Sequence, residues 1–424
     1  MDQWDALSLW LKRRLSTKHP TALLGDIASV RFDVVAPEKI SSGDVKLVDH
    51  VSFDGEVFAG DDDQTRMTQY LALPGDLVVS KIRARQGSIG IVSPTLGKVS
   101  VTCHYRVLIP NSEKIDTQYL WLALRSQFGR SQFLAATGGA MKGEISEDAL
   151  LRIRVPCPSK AIQSDIVEHW LEAQKAALDA RAELDRVVAE IDAWLIERTR
   201  AIVFERSGLG LSRRDLKRWD VKTARAAAFR LAHPKFVPFA TYAEEATEMV
   251  KPRLQPDHEW PVYGVNNKEG VFFSHTQRGA EFNAPYKRIR KDCFFHNPTR
   301  SAVGSLGHVP EVPEDAITSP EYQVWRLRDL GRESLQPGFV AVLIRTNWFV
   351  RVIQFHRVGA VKQRLYVENL LEMPVPKFPR ALQERIAAER AAALTKLAAA
   401  RKRAEIVKQE VEEMILGVRP APGV

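Results

Sequence analysis

The feature that most constrains this chain is that it is written twice. Trp4-Asp5 returns 215 residues later as Trp219-Asp220, and at that offset Leu24-Gly25-Asp26-Ile27-Ala28 faces Phe239-Ala240-Thr241-Tyr242-Ala243. Gly87-Ser88-Ile89-Gly90 matches Gly304-Ser305-Leu306-Gly307 at an offset of 217. From Tyr119 the offset is 220: Tyr119-Leu120 answers Phe339-Val340, Arg125-Ser126 answers Arg345-Thr346, and Gly139-Ala140 with Lys142 answers Gly359-Ala360 with Lys362. In the same register Val155-Pro156 answers Val375-Pro376, and Gln163 and Ile166 answer Gln383 and Ile386. Matches held in order over half the chain mark a tandem repeat, and a repeat decides which folds are open. Residues 30–74 and 244–290 do not align by eye, so each copy keeps a common frame and varies its middle.

Within a copy, short apolar runs alternate with turn residues. Leu77 to Val79, Ile89 to Val92 and Arg106 to Ile109 read as strands, as do Val262-Tyr263, Cys293 to Phe295 and Gln323 to Trp325. Tyr119 to Phe128 and its counterpart Phe339 to Val352 read as helices. After each Val-Pro the period changes. Ile166, Trp170, Ala173, Ala177, Ala180, Leu184, Val187, Ile191 and Trp194 keep a 4-3 spacing, which is a heptad seam. Its repeat is Ile386, Arg390, Ala393, Leu397, Ala400, Ala404, Val407, Val411 and Met414, with Arg390 as the polar member. Pro156 to Pro158 and Pro376 to Pro379 mark helix entries, and Gly208 and Gly417 lie near the exits. A helix of about 30 residues rises about 45 Å, and its apolar stripe calls for a partner, met either by the other long helix or by the globular part.

The fold class expected is α+β: two mixed α/β domains, each followed by a long helix, with the two helices packed as an antiparallel coiled coil. The boundaries expected are 1–156 and 208–376 for the globular parts, 157–207 and 377–418 for the helices, and 419–424 for a tail. A chain of 424 residues, 45% hydrophobic, can bury two or three cores. Its formal charge of +9 admits a polyanionic partner without requiring one. Cys103, Cys157 and Cys293 form no Cys-x-x-Cys pair, which points away from a disulfide framework or structural zinc and towards a reduced, cytoplasmic protein. The first residues do not read as a signal peptide, and no run of 18 apolar residues suggests a membrane span.

These features together resemble the specificity subunit of type I restriction-modification enzymes. The resemblance rests in the first copy on Trp4-Asp5, Leu24 to Ile27, Gly75 to Lys81 leading into Gly87 to Gly90, Gly139 to Ile145, and Ile153 to Pro156 with Gln163 and Ile166. In the second copy it rests on Phe295 to Arg300, Gly304 to Gly307, Met373 to Pro376 and Gln383 to Ile386. The family implies two target recognition domains, each reading one part of a split, asymmetric site in double-stranded DNA. It implies two antiparallel helices acting as a ruler, with a ceiling of about 13 base pairs for a spacer of about 45 Å. Methyltransferase subunits, two by the pseudo-two-fold of the repeat, would dock on the chain, and a separate motor-endonuclease subunit would join them. Catalysis would belong to those partners, and no cofactor or metal is expected of this chain.

The residues agree with a recognition role. No phosphate loop, Gly-x-Ser-x-Gly elbow or His-Glu-x-x-His occurs, and Asn297-Pro298-Thr299-Arg300 lacks the second proline and aromatic of an adenine methyltransferase motif. Cys293 and His296 on one strand read as core or surface rather than metal ligands. Candidate DNA contacts are the basic clusters Lys81, Arg83, Arg85, Gln86 and Lys287, Arg288, Arg290, Lys291, with Asn297, Arg300 and Asn266-Asn267-Lys268 as further candidates. Arg and Gln can pair with guanine and adenine edges, and Lys meets phosphates. Lys142 and Lys362 recur and so suit the common frame. The alternative is a non-catalytic protein-interaction scaffold of a related phage-defence system, which a pull-down without DNA protection would distinguish.

Overall fold

The structure is a computed structural model that describes residues 16–60, 65, 67–137, 143–199, 221–359 and 361–423. The sequence readings at Trp4-Asp5, Gly139-Ala140, Lys142, Gly208, Trp219-Asp220 and Ala360 lie outside the described residues. The contacts divide the chain into two units, Met1–Ala177 with Ala399–Val424, and Leu178–Ala398.

The strands described in the first unit are β1 (Thr21–Leu23), β2 (Ala28–Arg31), β3 (Lys46–Val51), β4 (Val57–Ala59), β5 (Gln69–Ala72), β6 (Leu77–Ser80), β7 (Ile89–Ile91), β8 (Val99–Thr102), β9 (Tyr105–Pro110) and β10 (Arg154–Pro156). One antiparallel sheet has the order β2-β9-β6-β7; a second has the order β4-β3-β8-β5, with β3 and β8 parallel; β1 pairs with β10. Every residue of β6 is buried, because its sheet is covered on both faces. Leu77 and Val79 enter a core with the helices α1 (Thr117–Arg125), α2 (Gln127–Ala136) and α3 (Glu147–Leu151), while Val78 packs towards the second sheet with Val51, Val57, Val99 and Val101. The period of two along a strand produces this split.

The second unit repeats the topology with β11 (Val237–Pro238), β12 (Ala243–Glu245), β13 (Met249–Val250), β14 (Glu259–Asn266), β15 (Gly270–Arg278), β16 (Tyr286–Arg288), β17 (Cys293–His296), β18 (Leu306–His308), β19 (Ile317–Thr318), β20 (Gln323–Leu327) and β21 (Pro374–Val375). The sheets run β12-β20-β17-β18 and β13-β16-β19-β14-β15, with β14 and β19 parallel and β11 paired to β21. Each matches its counterpart strand for strand, apart from the added β13. The repeat therefore extends through 30–74 and 244–290, where the sequences do not align.

The helices read as Tyr119 to Phe128 and Phe339 to Val352 are each two helices: α1 and α2, and then α5 (Pro337–Leu343) and α6 (Asn347–His356), followed by α7 (Val367–Leu371). The break falls at repeat-equivalent hydroxyls. Ser126 Oγ accepts from Gly129 N–H at 3.2 Å and Thr346 Oγ1 from Phe349 N–H at 3.1 Å, so each starts a new helix as its N-cap. Apolar periodicity runs through such a break and cannot show it.

Two long helices follow the copies, α4 (Lys160–Thr199, 40 residues) and α8 (Arg380–Ile415, 36 residues), each lying inside its expected segment. The second ends where Gly417 adopts φ +69° and donates its N–H to Met414 O. Each unit contains part of both helices, and in each unit they pair antiparallel. In the first unit His169 meets Glu410 at 2.8 Å, and Ile166 and Ala173 share a core with Val407, Val411 and Met414. In the second, Glu183 meets Lys396 at 2.9 Å, Arg186 meets Glu389 at 3.2 Å and Glu190 meets Arg385 at 2.5 Å. Val187 and Ile191 share a core with Ile386, and Leu397 is also buried. Trp170, Leu184 and Trp194 are half-buried. The stripe also serves the globular parts: Val187, Ile191 and Leu195 pack in one core with Phe339 and Trp348 of the second copy. Burial of each such side chain is worth about 1.5–3 kcal/mol.

Candidate nucleic-acid interface

The repeated Gly-Ser-x-Gly closes the same basic turn in both units. After β6, Ser80 Oγ accepts Arg83 N–H at 3.1 Å, Arg83 O accepts Gln86 N–H at 2.9 Å, and Gly87 takes φ +105°. After β17, Asn297 Oδ1 accepts Arg300 N–H at 3.3 Å, Arg300 O accepts Val303 N–H at 3.2 Å, and Gly304 takes φ +84°. The first glycine is needed for that left-handed conformation. The second is needed for room: a Cβ on Gly90 would lie 2.9 Å from Gly55 O, and one on Gly307 would lie 2.7 Å from Val271 N. These close approaches press the β3–β4 and β14–β15 hairpins onto β7 and β18, the strands that follow the basic turn.

The result places Arg83 and Arg300 at one position of one turn. Both are exposed, and neither makes an ion pair among the described residues. Beside Arg83 a cleft opens, lined by Asp49, His50, Ser52, Thr102, His104 and Tyr105 among others. It mixes donors and acceptors, as a surface that meets base edges requires.

The hairpins are held by a second repeated pair. Arg125 lies 4.3 Å over the Trp121 ring and donates through Nη2 to Phe53 O at 2.9 Å. Arg345, its repeat equivalent, donates to the carbonyls of Asn267 and Lys268, the latter at 3.2 Å. Burial, with Arg130 nearby, pushes the Arg125 guanidinium down to about 10. Asn266-Asn267-Lys268 thus serves as an acceptor turn, with Asn266 Oδ1 taking the N–H groups of Lys268 and Glu269. The candidate list missed Arg125 and Arg345, although their recurrence beside Ser126 and Thr346 was the available signal.

The remaining candidates divide. Gln86 is exposed on the turn and Arg85 is half-buried there. Lys81 pairs with Glu144 at 2.9 Å; Lys81 and then His104 hold that carboxyl below the usual range. In the second cluster Lys287 is buried and its ammonium donates to Tyr322 O at 2.7 Å, with burial lowering its pKa. Arg288 and Arg290 share Glu248, at 2.9 and 2.8 Å, and Arg288 also donates to Glu314 O at 2.5 Å. Lys291 pairs with Glu311 at 2.6 Å. Asn297 spends its side-chain oxygen on Thr299 and Arg300. The two basic clusters of the sequence are therefore unlike: the first forms the open turn, the second is largely compensated by carboxylates and carbonyls. The equivalent of Arg83 is Arg300, outside the second cluster.

Among the described residues no three His, Cys, Asp or Glu side chains are grouped to hold a metal ion, and no single helix is long and apolar enough to cross a membrane. Cys293 and His296 are buried core residues, His296 donating through Nε2 to Leu365 O at 3.0 Å.

No curated protein matches the chain. Three solved structures are similar over most of their length. One, titled as the structural basis of complex assembly and conformational transition of the type I R-M system, has 15% identity and a TM-score of 0.38, covering 95% of this chain and 98% of that one. The HsdS subunit from Thermoanaerobacter tengcongensis has 15% identity and a TM-score of 0.32, covering 93% and 95%. The type I restriction-modification S subunit from M. genitalium has 12% identity and a TM-score of 0.46, covering 95% and 96%. Residues 42–171, which hold the first basic turn, its hairpin and the start of α4, match the family described as the Type I restriction modification DNA specificity domain. Over residues 42–171 the first copy is therefore similar to the DNA specificity domain of the type I restriction-modification family that the sequence resembles.

Proposed function

We propose that this chain is the sequence-reading subunit of a type I restriction-modification complex. Its two globular parts, 1–156 and 208–376, each read one part of a bipartite, asymmetric DNA target, and the helices at 157–207 and 377–418 join them. Methyltransferase subunits dock on the chain, in two equivalent places set by the repeat, and methyl transfer, ATP use and cleavage lie on other chains. One observation carries this reading: a matched specificity domain whose basic turn recurs, with Arg83 and Arg300 in equivalent exposed places beside unlike hairpins. Like turns supply equivalent DNA contact; unlike neighbours supply different sequences to read.

Methylome sequencing of cells that carry this chain with its methyltransferase tests it. A gapped, asymmetric methylated motif is expected. An uninterrupted or palindromic motif, or none, would overturn the bipartite reading.

A further inference from the structure

The frame of the first unit contains a feature that the second lacks. Arg130, on α2, makes no side-chain hydrogen bond or ion pair with any described residue, and its Nε is buried without a partner. Its guanidinium packs against the basic turn so closely that a Cβ on Gly87 would lie 2.7 Å from Nη2. Arg125 stands beside it, and its Nε is also buried without a partner. Two neighbouring guanidinium groups thus keep buried donors that a strong acceptor can take. The carboxylates near enough to act on their charges do not take them. Asp54 makes no ion pair with Arg125, and Glu412 spends both oxygens on Gln127 N–H, at 3.0 and 2.9 Å. At the equivalent of Arg130 the second unit has Val350, whose Cγ2 lies 3.9 Å from a Cβ placed on Gly304.

We propose that Arg130 and Arg125, behind Gly87, form a phosphate-binding site peculiar to the first unit, which takes a phosphate of the DNA backbone. This rests on the DNA-reading function above for the source of the phosphate, and on the geometry alone for the anion. A planar guanidinium offers phosphate two parallel donors, and such a contact adds affinity without reading sequence. The two units would then hold DNA unequally, the first by the turn and the phosphate site, the second by the turn alone.

The test uses the full chain with its methyltransferase subunits, and the variants Arg130→Val and Arg130→Lys. Affinity for target and for unrelated duplex is measured against salt. Arg130→Val is expected to weaken both duplexes by the same factor and to lower the salt slope by about 0.9, the value of one released counterion, while Arg130→Lys retains most of the slope. In a second arm, the chain's melting temperature is compared in inorganic phosphate and in chloride at matched ionic strength. The extra stabilisation by phosphate in wild type is expected to vanish in Arg130→Val. Unchanged slope and unchanged phosphate effect would overturn the site while leaving the DNA-reading function standing. Weakening confined to the target would overturn it too, since that marks a base contact. If wild type binds no DNA but the phosphate effect disappears in Arg130→Val, the anion site stands with a free phosphate as ligand, and the DNA function falls.

Discussion

Asp192 and Trp348 lie 156 residues apart, and the carboxylate of the first accepts the backbone N–H of the second at 2.8 Å. Asp192 also takes Asn347 Nδ2 at 3.2 Å, so a residue of α4 caps the first turn of α6. In the first unit Glu412, the repeat equivalent of Asp192, takes the first N–H of α2 from Gln127. The long helix after each copy thus caps a helix in the globular part of the other copy. Asp192→Ala would leave Trp348 N–H buried and unpaired, at a cost of about 1–3 kcal/mol. Asp192→Asn, which keeps an acceptor, should cost less. Chemical denaturation of the full chain measures both, and equal midpoints for Ala and wild type would refute the cap.

Glu412 is itself half-buried. Burial raises its pKa above the ordinary carboxylate value. A folded pKa above the unfolded one means that the folded chain holds the proton more tightly. Its contribution to stability is present below the unfolded pKa and is lost as pH rises through the folded one. Glu412→Gln keeps an acceptor for Gln127 without the charge. It should be at least as stable as wild type at neutral pH and show a flatter pH profile on the acid side. A neutral-pH loss of stability would show that the charge is favourable.

Two imidazoles of the second unit have the opposite sign. Burial pushes His296 and His356 down to about 4 from an ordinary 6.5. Both favour the neutral form when folded, so their stabilisation is complete above pH 6.5 and fades as pH falls towards about 4. Denaturation midpoints at pH 7.5, 5.5 and 4.5 should fall in that order. His356→Phe, which removes an Nε2 that has no hydrogen-bond partner, should reduce the drop.

Gln163 and Gln383 hold the same place in the two copies. Gln163 takes Asp116 N–H at 2.8 Å and gives an N–H to Pro158 O at 2.9 Å; Gln383 does the same with Gln336, at 3.0 Å, and Phe378 O, at 3.0 Å. Both are buried. Gln163→Leu removes an acceptor and a donor at once, for an expected loss of about 1–3 kcal/mol. Glutamate there should be no better, because it cannot donate to Pro158 O. Thermal melts of the two variants decide this.

On the proposed reading, Arg83→Ala and Arg300→Ala should each disturb one part of the target. Loss of a base-contacting arginine costs about 1–3 kcal/mol of discrimination at its position. A binding selection on the assembled complex reads both sites together. If either variant relaxed both parts of the motif, the two units would not read independently.

Much of the frame was legible because it is written twice. Leu77 to Val79, Ile89 to Val92, Cys293 to Phe295 and the seam at Ile166, Val187, Ile191, Val407 and Val411 all rest on residues whose burial forces their type. The hairpins β3–β4 and β14–β15 share a topology but not a sequence, since partly exposed strands need only alternate and their residues are free to differ. The compensation of the second basic cluster was hidden for another reason. Glu248 and Glu311 reach Arg288, Arg290 and Lys291 across 40, 42 and 20 residues, so only folding brings the opposite charges together.

The grip of Arg125 on Phe53 O, and of Arg345 on the carbonyls of Asn267 and Lys268, has a consequence for how such chains diversify. A main-chain oxygen is present whatever amino acid carries it. Most of the hairpin can therefore change without altering this attachment, Gly55 excepted, where a Cβ would lie 2.7 Å from Ile89 O. New preferences can be acquired on an old chassis.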